Sequence, residues 1–223
     1  MEFKNAHLTR QSDLIPSEVL STPITVIGAG AIGSFLVFQL AKMGMSNITV
    51  LDPDVVSIEN MSCQLYGFSD CGTPKALALQ RIVQSRTHAQ IQVFAEKWRP
   101  VPVKGIVVMA VDDMAMRQEI FEDLQKRFGV NWFIDTRMGA ETALMYVMNP
   151  HNLADVNAYK KTLYSNEDAL QEPCTAKSTM YTATMLSGIA AKAIKNLICK
   201  QAYPRVTQWS ISTNELQCFT KEQ

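Results

Sequence analysis

A run of four apolar residues, Ile24 to Ile27, ends directly in Gly28-Ala29-Gly30-Ala31-Ile32-Gly33. A helical stretch from Ser34 to Met43 comes next, and a second apolar strand, Ile48 to Leu51, stops at Asp52. Strand, glycine turn, helix, strand and acid, in that order, are what a dinucleotide-type phosphate loop requires. Gly28 permits the tight turn, Gly30 lets backbone approach a phosphate, and Gly33 lets helix and strand pack closely. The helix start then turns free N–H groups and its positive dipole end toward the phosphate. Asp52 stands roughly 20 residues past the loop, where a carboxylate can accept from ribose hydroxyls. A lone glycine pattern is weak evidence. With this full context it points to a nucleotide site.

Beyond the loop, strands alternate with stretches of helical length. Thr73-Pro74 supplies a cap and a first-turn proline for a helix over Ala76–Ser85. Ile91–Ala95 and Ile106–Val111 read as strands, Met116–Phe128 as a helix and Trp132–Ile134 as another strand. This rhythm predicts an α/β fold, a Rossmann-like, doubly wound and mostly parallel sheet. After Asp135 the rhythm changes. Ala143–Met148 reads as a strand, 149–177 as a polar, loop-rich stretch, and Ser178–Cys199 as a long helix. Val206–Ser212 and Leu216–Phe219, joined around Thr213-Asn214-Glu215, predict a closing antiparallel hairpin. The expected organisation is an arm over 1–22 and one domain over 23–223. Its nucleotide-binding half is 23–135 and its C-terminal half 136–223.

Composition narrows the function classes. The 21 basic and 21 acidic residues cancel, so no broad electrostatic footprint for nucleic acid or membrane is legible. No stretch approaches the apolar length of a membrane span, and the first residues are mixed polar. A cytoplasmic location is therefore expected. Five cysteines, an odd number with no Cys-x-x-Cys pair, argue against a disulfide framework or a four-cysteine zinc site.

Past Asp52 the chain runs Pro53-Asp54-Val-Val-Ser-Ile-Glu-Asn60-Met-Ser-Cys63-Gln64, then Gly72-Thr-Pro-Lys75, then Asp112-Asp113-Met-Ala-Met-Arg117. This order resembles the ThiF/MoeB/HesA adenylating family, which includes the ubiquitin-activating enzymes. That family's pattern is GxGxxG, D-x-D, S-x-x-N-x-x-R-Q, G-x-P-K and D-N-x-x-x-R. The resemblance covers roughly residues 10–135 well and the remainder more loosely. It implies that the C-terminal carboxylate of a ubiquitin-like or sulfur-carrier protein, ending in glycine, attacks the α-phosphate of ATP with Mg²⁺. It further implies that Asp52 and Asp54 belong to the nucleotide site, with Asp52 on the ribose. Asn60 would orient the phosphates, Lys75 would neutralise charge developing on them, and Asp112 would hold the metal. Taken singly, Lys75 at a helix start is an ordinary solvated lysine, and Asp112 is as well suited to capping a helix.

Cys63 departs from the pattern, because family members carry a phosphate-contacting arginine there and a cysteine cannot present a permanent cation. Arg10, in Leu8-Thr9-Arg10-Gln11, resembles the family's N-terminal R-Q element, whose arginine enters the neighbouring subunit's site and so implies a homodimer. A solvated arginine on an arm is the competing reading. Arg81 and Arg137 are further candidates for the missing charge. Pro173-Cys174-Thr175, ahead of the long helix, resembles the thioester-forming cysteine of autophagy-type activating enzymes. A thiol at a helix start, with Lys177 nearby, is a suitable acyl acceptor. A structural cysteine is the alternative. Two other readings stand beside an adenylyltransferase: a catalytically weak scaffold subunit of a heterodimer, motivated by Cys63, and a NAD-dependent oxidoreductase. The latter leaves Asn60, Lys75 and Asp112 without a role.

Overall fold

Short apolar runs, each bounded by polar or glycine-bearing turns, become the strands of one sheet, and the longer amphipathic stretches between them become its helices. The computed structural model describes residues 6–87, 89–99, 102–163 and 178–219. In chain order the elements are β1 (Ile24–Ile27), α1 (Ala31–Lys42), β2 (Ile48–Leu51), α2 (Lys75–Thr87), β3 (Gln92–Phe94) and β4 (Gly105–Met109). There follow α3 (Met114–Leu124), β5 (Val130–Gly139), β6 (Thr142–Met148), α4 (Leu153–Lys160), α5 (Met180–Ile198), β7 (Val206–Ser210) and β8 (Glu215–Phe219).

The strands lie in the order β3-β2-β1-β4-β5-β6-β7-β8. The pairings from β3 across to β5 are parallel, and those from β5 to β8 are antiparallel. The expected doubly wound sheet with a closing hairpin is the fold observed. Alternate residues of each strand feed different cores. Ile24, Val26, Ile48, Val50, Ile106 and Val108 join α1, α2 and α5 on one face. Leu51, Val107, Met109 and Phe133 join Ile120, Phe121 and Leu124 of α3 and Tyr159 of α4 on the other. β1 is buried along its whole length, which is why its sequence is a continuous apolar run rather than an alternating one.

The chain leaves β1 toward β2 on one side and later returns to place β4 on the other. A crevice opens at such a switch point, outside the carboxyl ends of the strands. The ends of β1, β2 and β4 are level, Ile27 pairing with Leu51 and Met109, whereas β5 continues beyond Asp135, the partner of Met109.

The structure differs from the sequence reading in several places, and α3 runs Met114–Leu124 rather than Met116–Phe128 because Asp113 caps its start and Gln125 its end. The stretch expected to be loop contains α4, which has two signals too short to register as a period. Asn152 caps it by accepting from the Asp155 amide at 3.1 Å, and only Val156 and Tyr159 form its buried apolar face. β5 extends to Gly139, because β6 pairs along it from Phe133 to Gly139. The long helix starts at Met180, since Thr179 is its N-cap. No helix among the described residues is long and apolar enough to cross a membrane.

Candidate nucleotide site

The glycine loop is shaped by contacts that a side chain would destroy. Gly28 has φ +98°, and a Cβ there would stand 2.5 Å from the Ala110 carbonyl oxygen. A Cβ on Gly33 would lie 1.9 Å from the carbonyl oxygen of Gly28. Gly30 is different in kind, since a Cβ there would meet nothing within 4 Å. Close packing therefore accounts for Gly28 and Gly33, while the space over Gly30 is open at the start of α1. No side chain caps that helix, so its first N–H groups remain available to an anion.

Asp52, at the end of β2, is 4% exposed. One carboxylate oxygen accepts the Ala29 amide at 2.6 Å and the other accepts the Asp54 amide at 2.8 Å. Each oxygen keeps a further lone pair for a ligand hydroxyl. Burial pushes the Asp52 carboxyl above its ordinary pKa, and the two amides pull against that shift. Lys75 begins α2 and is almost wholly buried, with Nζ 2.8 Å from the exposed Asp54 carboxylate. Its own amide donates to the Asp54 carbonyl at 2.8 Å. The structure thus brings the loop, Asp52, Asp54 and Lys75 into one contact set.

Tyr66, which the sequence reading passed over, ties this set together. Its hydroxyl donates to the Ala29 carbonyl at 2.6 Å and also lies 3.3 Å from that of Lys75. Burial raises the Tyr66 pKa, which keeps the donor protonated. No local pattern marks a lone tyrosine in a turn, so its role was not legible in the sequence.

Asp112 is exposed on the loop between β4 and α3, and the helix cap is its neighbour Asp113, which accepts from the Met116 amide at 2.6 Å. The loop touches the phosphate turn directly, because the Ala110 amide donates to the Ile27 carbonyl at 2.8 Å. No cluster of three metal-ligating side chains occurs among the described residues. A single carboxylate beside a phosphate loop nevertheless suits Mg²⁺, which takes one or two carboxylates and completes its shell with phosphates and water.

Other sequence-derived candidates lie apart from this set or are engaged elsewhere. Asn60 sits on a short 3₁₀ turn, Ile58–Ser62, where its side-chain Oδ1 accepts the Ser57 amide at 2.9 Å. Cys63 is buried at the end of that turn. Arg10 is exposed on the 3₁₀ helix Ala6–Gln11. The neighbouring Gln11 side chain donates to the Met43 carbonyl at 2.6 Å, past the far end of α1. The length of α1, about 18 Å, therefore separates Arg10 from the glycine loop of its own chain. Arg81 is paired with Asp70 at 3.3 Å. Arg137 is held by Asp135 at 2.8 Å and by Thr162. Pro173, Cys174, Thr175 and Lys177 lie outside the described residues.

The family model for the ThiF family matches residues 8–223. The sulfur carrier protein ThiS adenylyltransferase of Escherichia coli K12 is 30% identical over 121 residues, which are 51% of this chain and 46% of that protein. The NEDD8-activating enzyme E1 catalytic subunit of Caenorhabditis elegans is 40% identical over 109 residues, 45% of this chain and 25% of that one. The chain thus matches less than half the length of these curated relatives. Escherichia coli MccB, solved with ATP, superposes with a TM-score of 0.75 at 14% identity, over 99% of this chain and 73% of that one. At that identity the likeness is one of fold. With its family model spanning residues 8–223, and with a glycine loop joined to Lys75 through Asp52 and Asp54, the chain belongs to the ThiF family.

Proposed function

We propose that this protein is an ATP-dependent adenylyltransferase that activates the C-terminal carboxylate of a ubiquitin-like or sulfur-carrier protein. The observation that carries the reading is the open, uncapped start of α1 over Gly30, flanked by Asp52 and the Asp54–Lys75 pair. The names of its relatives, adenylyltransferases and activating enzymes, support the same chemistry. Asp52 holds the ribose, and the α1 N-terminus with Gly30 receives the phosphates. Asn60 would turn from the Ser57 amide to orient the phosphates. Lys75 swings from Asp54 to the phosphates as charge develops on them. A Mg²⁺ ion held by Asp112 and phosphate oxygens would add charge neutralisation. A carrier carboxylate oxygen attacks the α-phosphorus, the α–β anhydride bond breaks with pyrophosphate as the leaving group, and the carboxylate is left as a mixed anhydride with AMP. Positioning and electrostatics dominate such a step.

The same reading makes the protein a cytoplasmic homodimer, with Arg10 serving the partner's site, and makes Cys174 the acyl acceptor. ATP–pyrophosphate exchange in the presence of candidate carriers ending in glycine is the test. Exchange is expected in the wild type and lost in Asp112→Ala with the melting temperature kept. Cys174→Ala should retain exchange but lose a thiol-cleavable carrier adduct on non-reducing gels. Near wild-type exchange in Asp112→Ala removes the metal assignment.

Cys63 favours a second reading, a scaffold subunit of a heterodimer. A buried thiol stands where the family pattern has a cationic side chain. Absence of exchange with every carrier, together with retained ATP binding, would support it.

A further inference from the structure

Asp135 ends the apolar run of β5 just as Asp52 ends that of β2, yet it faces no cleft. It is wholly buried. One oxygen takes an ion pair from Arg117, itself buried on the first turn of α3. The other accepts from Arg137 Nε at 2.8 Å and from the Tyr159 hydroxyl at 2.9 Å. The second Nη of Arg117 donates to the Val111 carbonyl, immediately before Asp112. Next to Asp135, the Thr136 hydroxyl donates to the Met109 carbonyl at 2.9 Å. Both ends of the short segment 109–111 are therefore held, Met109 by Thr136 of β5 and Val111 by Arg117 of α3, which Asp135 anchors in turn. Between them Ala110 donates to Ile27 and abuts Gly28.

We propose that Asp135, acting through Arg117 and with Thr136, is a positioning residue of the nucleotide site. It fixes the 109–112 segment, which in turn sets the phosphate turn at Gly28 and the place from which Asp112 is presented. This assignment rests on the nucleotide reading above. A buried ion pair contributes little net stability once its desolvation is counted. What it supplies here is a single arrangement of backbone beside the loop. Lysine cannot substitute for Arg117, because its ammonium lacks the planar fork that spans carboxylate and carbonyl.

The test uses Arg117→Lys, which keeps a cation beside Asp135, and Thr136→Val with Thr136→Ser as its conservative counterpart. The first readout is amide hydrogen exchange of the unliganded protein. Exchange at Gly28 and Ala110 should accelerate about tenfold or more in Arg117→Lys. Amides of β7 should be unchanged. The second is affinity for MgATP, which should fall about tenfold in the same variant, with affinity for adenosine retained. Thr136→Val should move both readouts in the same direction and Thr136→Ser should restore them, so the assignment is tested even if Arg117→Lys does not fold. Wild-type exchange at Gly28 and Ala110 in the folded variants overturns the positioning role. A wild-type protein that binds no MgATP removes the nucleotide reading instead, and the two failures are thereby distinguished.

Discussion

Asp52 meets opposing demands. Burial disfavours its charge, whereas the amides of Ala29 and Asp54 need an acceptor on each oxygen. Its pKa in the folded protein lies above the ordinary value of 3.8. The protonated form is thus the less costly one in the fold. Stability from this group is fully present below the ordinary carboxylate pKa and is lost as pH rises through the raised value. Asp52→Asn does not titrate. Its melting temperature relative to wild type should therefore increase as pH rises from the ordinary carboxylate value of 3.8 toward neutrality, the sign being set by the upward direction of the shift. A difference that stays flat across that range would mean burial does not govern this carboxyl. At neutral pH the same variant should bind ATP more weakly, because an amide cannot accept at both positions.

At the scale of elements, the β1–α1 unit depends on one close approach. A methyl group on Gly33 would have to share space with the Gly28 carbonyl, and that neighbour is backbone, which cannot rotate away. Gly33→Ala should lower stability by about 3 kcal/mol or more, at or beyond the upper end of ordinary overpacking, as read in urea unfolding. Gly30→Ala is the control: open space surrounds it, so it should cost about 1 kcal/mol or less as a cap change, while nucleotide affinity falls. Equal stability losses at the two positions would contradict the division of labour in the loop. α5 illustrates a cooperative start. Thr179 caps it, and the hydroxyls of Thr179 and Thr182 both donate to the Ala140 carbonyl, at 3.0 and 2.8 Å. The helix is thereby docked on the β5–β6 hairpin from its first turn.

For the whole molecule, the placement of Arg10 is decisive. Its 3₁₀ helix packs at the far end of α1, where Leu8 lies against Gly44. An arginine so placed lies the length of α1, roughly 18 Å, from the glycine loop of its own chain. In the homodimer proposed above, Arg10→Ala should lose pyrophosphate exchange. Mixing it with Asp112→Ala subunits should restore part of that activity, since one hybrid site then combines an intact Arg10 with an intact Asp112. Full activity of Arg10→Ala in a species that sediments as a monomer would remove both the dimer and the cross-subunit role.

The sequence by itself determined the strand–glycine–helix–strand–acid unit, the doubly wound class and the closing hairpin. Each is encoded in short-range terms: apolar period, the sterics of glycine, and turn chemistry. The tertiary structure alone decided which side chains meet. Tyr66 reaches a carbonyl 37 residues away and Arg117 a carboxylate 18 residues away. Both pairings exist because strand order sets β2 beside β1 and β4 beside β5, relations that no local pattern carries. The engagement of Lys75 with Asp54, the burial of Cys63 and the remoteness of Arg10 follow in the same way. α4 was hidden for a related reason: two buried residues make too short a period to read, and it is their packing against Phe121 and Phe133 that holds the helix in place.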